Sequence, residues 1–398
     1  MLPMTLTVRR LTDEDAAAAR QLGFEAFGTP TTPPSEPATV GQPGRTWFGA
    51  FDSTTLAARM IDRDYESYFG GVAMPTSGIA GVTVAAEYRG RGALSPLFTE
   101  PLAAARSRGA VVSTLFPTAP RIYRRFGYEV VADFATVQVP TQALASVAPA
   151  DGIHTRRATA ADVEAVRAVY DVWACEQNGP LSRRGGSFPD TAAEYLDHFT
   201  GVTVAVDDAD VVHGYVSWER GQGYGEKAVL EITDLLATDP AGYRALLVAM
   251  GSFSSVIPQV RIDTSGDDIA RMFLPTLHWQ VVDSSPYMLK VLDVSAALTL
   301  RRYPAGFSAE LAFSVTGDLL ADNNGHYVLD IGNGRGNCVR AEHGGRVFTP
   351  QGLALLFAGV QSSANLRTAG HLSGGDLGDD ATWDALFGGR QAHIRDYF

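Results

Sequence analysis

Two cysteines in 398 residues, Cys175 and Cys338, are too few and too far apart for a disulfide framework or a cysteine metal knuckle. The chain has no CxxC, HExxH or EF-hand loop, and its eight histidines show no ligand spacing, so no metal is expected. No apolar run reaches the roughly 18 residues of a membrane helix. The opening Met-Leu-Pro-Met-Thr-Leu-Thr-Val-Arg-Arg lacks the apolar core of a secretory signal. Positive charge is also short: 32 Lys and Arg face 44 Asp and Glu, a net charge of -12. That balance argues against a nucleic-acid partner and suits cationic ones. A cytoplasmic protein with neither nucleic-acid nor membrane partners is the expectation. Its 45% hydrophobic content is ample for sizeable cores, and its length suggests two to three domains at roughly 100–200 residues each.

The chain repeats its own beginning. Thr7-Val-Arg-Arg-Leu-Thr-Asp-Glu-Asp15 returns as His154-Thr-Arg-Arg-Ala-Thr-Ala-Ala-Asp162, with Arg-Arg-x-Thr-x-x-Asp in common. Each reads as a short strand and then a helix start. Thr12 with Asp15, and Thr159 with Asp162, have capping-box spacing. Residues 141–152, rich in Ala, Ser and Pro, read as a linker, and Asp283-Ser-Ser-Pro286 as a second break. These divide the chain into 1–145, 146–285 and 286–398: two related α/β units and a smaller α+β unit.

In the first unit Ile79-Ala-Gly-Val-Thr-Val84 reads as a buried strand. Arg89-Gly-Arg-Gly-Ala-Leu-Ser95 follows, and then Leu94, Leu97, Phe98 and Leu102 fall at helical spacing. A strand, a glycine turn and a helix start make an anion site, because free amides and the helix dipole point at one place and the arginines add donors. Pro96 suits a first helical turn, whereas Pro101 predicts a kink. The spacing is neither GxGxxG nor a Walker loop. Arg89-x-x-Gly92-x-Leu94 instead resembles the R/Q-x-x-G-x-G/A loop with which GCN5-related N-acetyltransferases (GNATs) hold the pyrophosphate of acetyl-CoA. Leu94 replaces the final small residue. Pro120-Arg-Ile-Tyr-Arg-Arg-Phe-Gly-Tyr128, placed after the apolar strand 111–116, is similar to the late helix and strand of the same family.

Two such units before a sterol-carrier-like domain resemble the enhanced intracellular survival (Eis) family of actinobacterial acetyltransferases. That family also carries a leucine at the position of Leu94. The resemblance implies tandem GNAT folds followed by a sterol-carrier-like α+β domain, and acetyl-CoA as co-substrate. It implies an amine acceptor (aminoglycoside-like, polyamine or lysine side chain) and a homohexamer built as a trimer of dimers. It implies that Val82, Thr83, Val84, Arg89, Gly90, Arg91, Gly92, Ala93, Leu94 and Ser95 line the cofactor, with Thr118 and Ala119 as a further contacting pair.

Acetyl transfer needs a base for an ammonium whose pKa lies near 10.4 and a donor for the departing sulfur. Backbone amides of Val82 and Val84 suit polarisation of the thioester carbonyl. Tyr123 is the donor candidate. No His or Glu of the first unit stands out as base. The family places the terminal carboxylate there, here that of Phe398, with Asp396 as the fallback. Trp47, Phe24 and Phe27 are candidate pocket walls, although helical spacing assigns the two phenylalanines to the core. Asp62 and Asp64 read as solvated charge, Asn178 to Pro189 as a mobile loop, and Arg183 and Arg184 as exposed. In the second unit Asp239-Pro-Ala-Gly-Tyr-Arg stands where the arginine-glycine loop should be, so no acetyl-CoA is expected there. Gly332-Asn-Gly-Arg-Gly-Asn337 reads as a hairpin turn. The competing class is a non-catalytic lipid- or ligand-binding scaffold with a vestigial acetyl-CoA site.

Overall fold

The computed structural model describes residues 6–29, 39–223, 225, 227–275 and 277–398. The first unit supplies Thr7–Arg10 (β1), Arg45–Asp52 (β2), Thr55–Phe69 (β3), Val72–Val84 (β4), Val112–Leu115 (β5) and Glu129–Pro140 (β6). The second supplies Ile153–Arg157 (β7), Gly201–Asp207 (β8), Val212–Arg220 (β9), Val229–Ala237 (β10), Gln259–Thr264 (β11) and Gln280–Val291 (β12). All join in one sheet of order β1-β2-β3-β4-β5-β12-β6-β11-β10-β9-β8-β7. The order is symmetric, because each strand has a counterpart six numbers later and the two final strands have changed places. Thus β12 pairs with β5, β6 pairs with β11, and the two lie antiparallel against each other. The exchange leaves no open strand edge at the seam.

The repeated motif has a physical reason in both units. Arg9 holds Asp15 with two bonds of 2.7 and 2.8 Å, and Arg156 holds Asp162 with bonds of 2.9 and 2.8 Å. Each acid returns to the backbone amide of its capping threonine, Thr12 or Thr159. Residues 283–286, read as a break, are instead strand residues paired from Asp283↔Thr136 to Pro286↔Asp133. Side chains 280–284 are exposed there, so backbone pairing alone holds the strand and hydrophobicity carries no signal. The strand β12 runs through the division at 285/286 and ends at Val291.

The third unit carries Ala309–Val315 (β13), Gly325–Gly332 (β14), Arg335–Arg340 (β15), Arg346–Phe348 (β16) and Leu372–Gly374 (β17), ordered β15-β14-β13-β16-β17. The expected hairpin is present: Gly332 pairs with Arg335 across Asn333 and Gly334, at φ 52° and 74°. Buried Trp383 packs on Phe313 and Phe348 at 5.7 and 5.4 Å. Fully buried Lys290 of β12 reaches both oxygens of Asp318 at 2.8 Å, tying this unit to the large sheet. Among the described residues no helix is long and apolar enough to cross a membrane.

Candidate active site

The strands β4 and β5 run parallel from Thr76↔Val112 to Ile79↔Leu115. There β5 ends while β4 continues to Val84, and its register with β3 slips between Arg59 and Ile61. Gly81, at φ 56°, adopts the left-handed conformation at that bulge. Residues 82–84 therefore lie beyond the ladder with β5, beside a cleft between diverging strands. Val82 and Val84 are half-buried and Thr83 is buried.

Beyond β4 the chain turns through Arg89, Gly90, Arg91 and Gly92, all exposed, and enters helix Leu94–Ser107 over buried Ala93. Gly90 and Gly92 have φ of 72° and 84°, and a Cβ on either would meet nothing within 4 Å. The Arg89 Nε donates to the Val84 carbonyl at 3.2 Å, fixing the loop to the strand end. No side chain caps this helix, so its first amides and positive dipole end remain for an outside anion. Ser95 lies in the first turn, and the helix runs on through Pro101 to Ser107. The open loop and uncapped helix fit a diphosphate.

The second unit differs at the same place. Asp239 caps helix Pro240–Gly251 by accepting from Gly242 N at 2.8 Å, and it also bonds His213 Nδ1 at 2.5 Å. A carboxylate already occupies this helix end. Its cleft is occupied as well. The parallel ladder of β10 and β11 stops at Ile232↔Ile262, the counterpart of Ile79↔Leu115. Just past it the tail inserts Arg395, which donates to Asp263 O at 2.9 Å and to the Asp268 carboxylate at 2.8 Å.

Tyr123 is buried on helix Pro120–Arg124, edge-on to Phe98 at 5.8 Å. Burial pushes its phenol above the ordinary value of 10, a bond with Thr118 offsets this only in part, and the hydroxyl stays protonated at neutral pH. Thr118 is exposed and Ala119 half-buried at the start of that helix. Arg124 pairs with Glu129 at 2.7 Å, while Arg121 and Arg125 are exposed.

The final residues dock. Asn178 N donates to Gln391 O, and His393 N donates to Asn178 O, both at 2.8 Å. The ring of Phe398 stands 5.0 Å from Tyr65 and 5.4 Å from Phe116, and a Cβ on Gly78 of β4 would come within 3.1 Å of it. The tail thus crosses the second unit's cleft and ends at the first unit's. A cavity of about 530 Å³ opens beside it, lined by Arg63, Tyr65, Tyr170, Arg183, Asp234 and Asp396 among others.

Several sequence expectations give way here. Asn178 to Pro189 is not a mobile surface loop, because Leu181 bridges to Ser67 of β3 and Ser182 N donates to Glu66 O. Arg183 is not exposed: it binds Asp234 through two bonds of 2.5 and 3.2 Å and Asp396 at 2.8 Å. Asp62 is buried rather than solvated, held by Ser77 at 2.7 Å and Arg108 at 3.0 Å. Phe27 is 59% exposed rather than core, because its helix ends there. Asp234 escaped the sequence reading altogether. Val229–Ala237 carries two acids, Glu231 and Asp234, and only the second faces the core, so the local sequence carried no sign of which one was buried.

The tail also carries a pH dependence. His393 is 3% exposed against Trp173, and burial, followed by the nearby Arg395 charge, pulls its imidazole down to about 3. Below its ordinary 6.5 the unfolded chain takes up a proton that the folded chain refuses. The contribution of His393 to stability is therefore expected to be level above pH 6.5 and to fall progressively from there toward pH 3. Urea midpoints at pH 7.5 and 5.0 measure it, and His393→Phe should flatten the difference.

Residues 7–131 match the acetyltransferase (GNAT) domain, 179–291 a second GNAT domain, and 294–395 the sterol carrier protein domain. An uncharacterized N-acetyltransferase of Streptomyces avermitilis is 30% identical over 86% of each chain. Among solved structures, a GCN5-related N-acetyltransferase from Anabaena variabilis superposes with TM-score 0.87 at 21% identity, over 99% of this chain and 100% of that one. Eis1 of Mycobacterium abscessus does so with TM-score 0.76 at 22% identity, over the same shares.

Proposed function

The chain belongs to the GCN5-related N-acetyltransferases and is an acetyltransferase, and on that premise we propose that it is an Eis-like member that moves the acetyl group of acetyl-CoA onto a primary amine. Three features on the diverging strands support this reading: the open loop that follows β4 ahead of helix Leu94–Ser107, buried Tyr123 on the helix that follows β5, and Phe398 docked against Gly78 of β4 and Phe116 just after β5. Acetyl-CoA supplies an activated thioester.

In this proposal residues 89–95 hold the diphosphate by backbone amides and arginine side chains, and residues 82–84 receive the pantetheine arm and the thioester, with Thr118 and Ala119 alongside. The Val82 and Val84 amides polarise the reacting carbonyl. The carboxylate that ends the sequence at Phe398 takes the proton of the incoming ammonium, directly or through water. Protonated Tyr123 gives a proton to the leaving thiolate. The 530 Å³ cavity admits the amine. Asp396, the alternative base, is less suited, because both its oxygens are engaged by Arg183 and Tyr170. The second unit, with its cleft and helix end filled by its own charges, supports structure rather than a second reaction.

Release of free CoA thiol over a panel of polyamines, aminoglycosides and lysine peptides tests the reading. Turnover with at least one amine is expected, and silence across the panel would overturn it.

A further inference from the structure

The strands β2 and β3 of the first unit hold charges that the chemistry above leaves idle. In the pairing of β2 with β3, Arg45 stands opposite Arg63, Trp47 opposite Ile61, and Gly49 opposite Arg59. Strand side chains alternate, so Arg45, Trp47, Arg59 and Arg63 share one face. Arg59 is only 6% exposed, and its guanidinium lies 4.8 Å over the Trp47 ring. Its Nε and Nη1, the Trp47 Nε1 and the Arg63 Nε are all buried without a hydrogen-bond acceptor. Among the described residues no carboxylate pairs with Arg45, Arg59 or Arg63. Arg45 reaches only Gln42 Oε1 at 2.5 Å, and Arg63 only Tyr65 OH at 3.1 Å.

In a chain with twelve more acids than bases, three unpaired arginines on one face stand out. Desolvation pulls Arg59 down to about 10, and desolvation and then Arg63 lower Arg45, so the face is held at an energetic disadvantage. A buried unpaired charge is costly, and buried donors are normally satisfied. Every unmet group here is an N–H donor, so the missing partner is an acceptor, and the surplus charge makes it anionic.

The place is adjacent to the reacting centre. Ile61, between Arg59 and Arg63, pairs with Ala80 where β4 leaves β5. Each arginine stands two residues, about 7 Å, along the strand from that point. The Arg59 Nη1 lies 3.6 Å from where a Gly81 Cβ would sit, beside the bulge that opens the cleft, and Arg63 lines the cavity.

We propose that this face is an oxyanion subsite for the acyl acceptor: the amine carries a carboxylate or phosphate a few bonds from its nitrogen, gripped by Arg59 and Arg63 beside Trp47. The inference rests on the acetyl-transfer reading, and its test separates the two. Calorimetry on CoA-saturated protein compares 6-aminohexanoate with hexylamine, and phosphoethanolamine with ethanolamine. The anionic member of at least one pair should bind about tenfold more tightly, and which pair does so distinguishes carboxylate from phosphate. Arg59→Met should reduce the advantage to less than about twofold while keeping CoA affinity, and should melt no lower than the parent because it removes an unpaired buried charge. If Arg59→Met does not fold, Arg63→Met should show the same loss of preference. Equal binding within both pairs, or a preference that survives in the variants, overturns the subsite. Turnover of neutral amines without anion preference rejects the subsite and leaves the transferase standing. Anion preference with no thiol release from any amine rejects the acetyl-transfer reading instead.

Discussion

Arg183→Met is expected to lower stability by about 3–5 kcal/mol and to release the end of the chain. The Arg183 side chain bridges two acids: Asp234, 2% exposed on β10, and Asp396 of the tail, 17% exposed. Burial pushes the Asp234 carboxyl up, but Arg183 outweighs it and holds the group below its ordinary value. At Asp396 burial prevails, and the carboxyl sits above its ordinary value despite Arg183. Without the guanidinium both acids are buried charges with too few donors, since Tyr215 OH at 2.9 Å and Ser217 near the Asp234 amide do not replace it. Burial should then raise the Asp234 carboxyl, and the tail should lose its anchor. A lower urea midpoint together with carboxypeptidase digestion of residues 396–398 is the expected pair of results. Adding Asp234→Asn should recover part of the midpoint, because the second change removes the charge that the first stranded. A midpoint unchanged in Arg183→Met would mean that the ion pairs contribute nothing.

Tyr123→Phe should reduce kcat by about 10²–10⁴-fold with KM little altered. The ring stays packed edge-on to Phe98, so the fold should persist and only the proton donor is lost. Because burial places the phenol above 10, the parent enzyme should show no falling limb from this group below about pH 10. A single glycine added after Phe398 probes the opposite partner. It displaces the carboxylate while leaving the ring against Tyr65 and Phe116, and kcat should fall by a comparable factor. Unchanged kinetics in the extended protein would transfer the role of base elsewhere, with Asp396 first in line.

Much of the first unit could be read directly. The turn Arg89 to Gly92 was legible because two glycines between a β-branched run and a helical pattern mark a strand-to-helix turn, and both adopt positive φ there. The repeated Arg-Arg-x-Thr-x-x-Asp was legible for a local reason: arginine, threonine and acid lie within seven residues and meet in both units. The Asn-Gly turn at 333–334 was legible because its φ values select those residues. The failures involve partners distant in sequence. Arg183 meets acids 51 and 213 positions away, and Asp62 meets an arginine 46 positions away, so neighbouring residues gave no sign that these charges were buried.

By itself, then, the sequence determined the elements and the duplicated plan, since strand alternation, capping boxes and glycine turns are settled by residues a few positions apart. Only the tertiary structure decided that the two units exchange their last strands, that the tail plugs one cleft and reaches the other, and that Arg59 is buried with no acid paired to it among the described residues. Burial and charge pairing are properties of what folds against a residue, and here the partners come from every third of the chain.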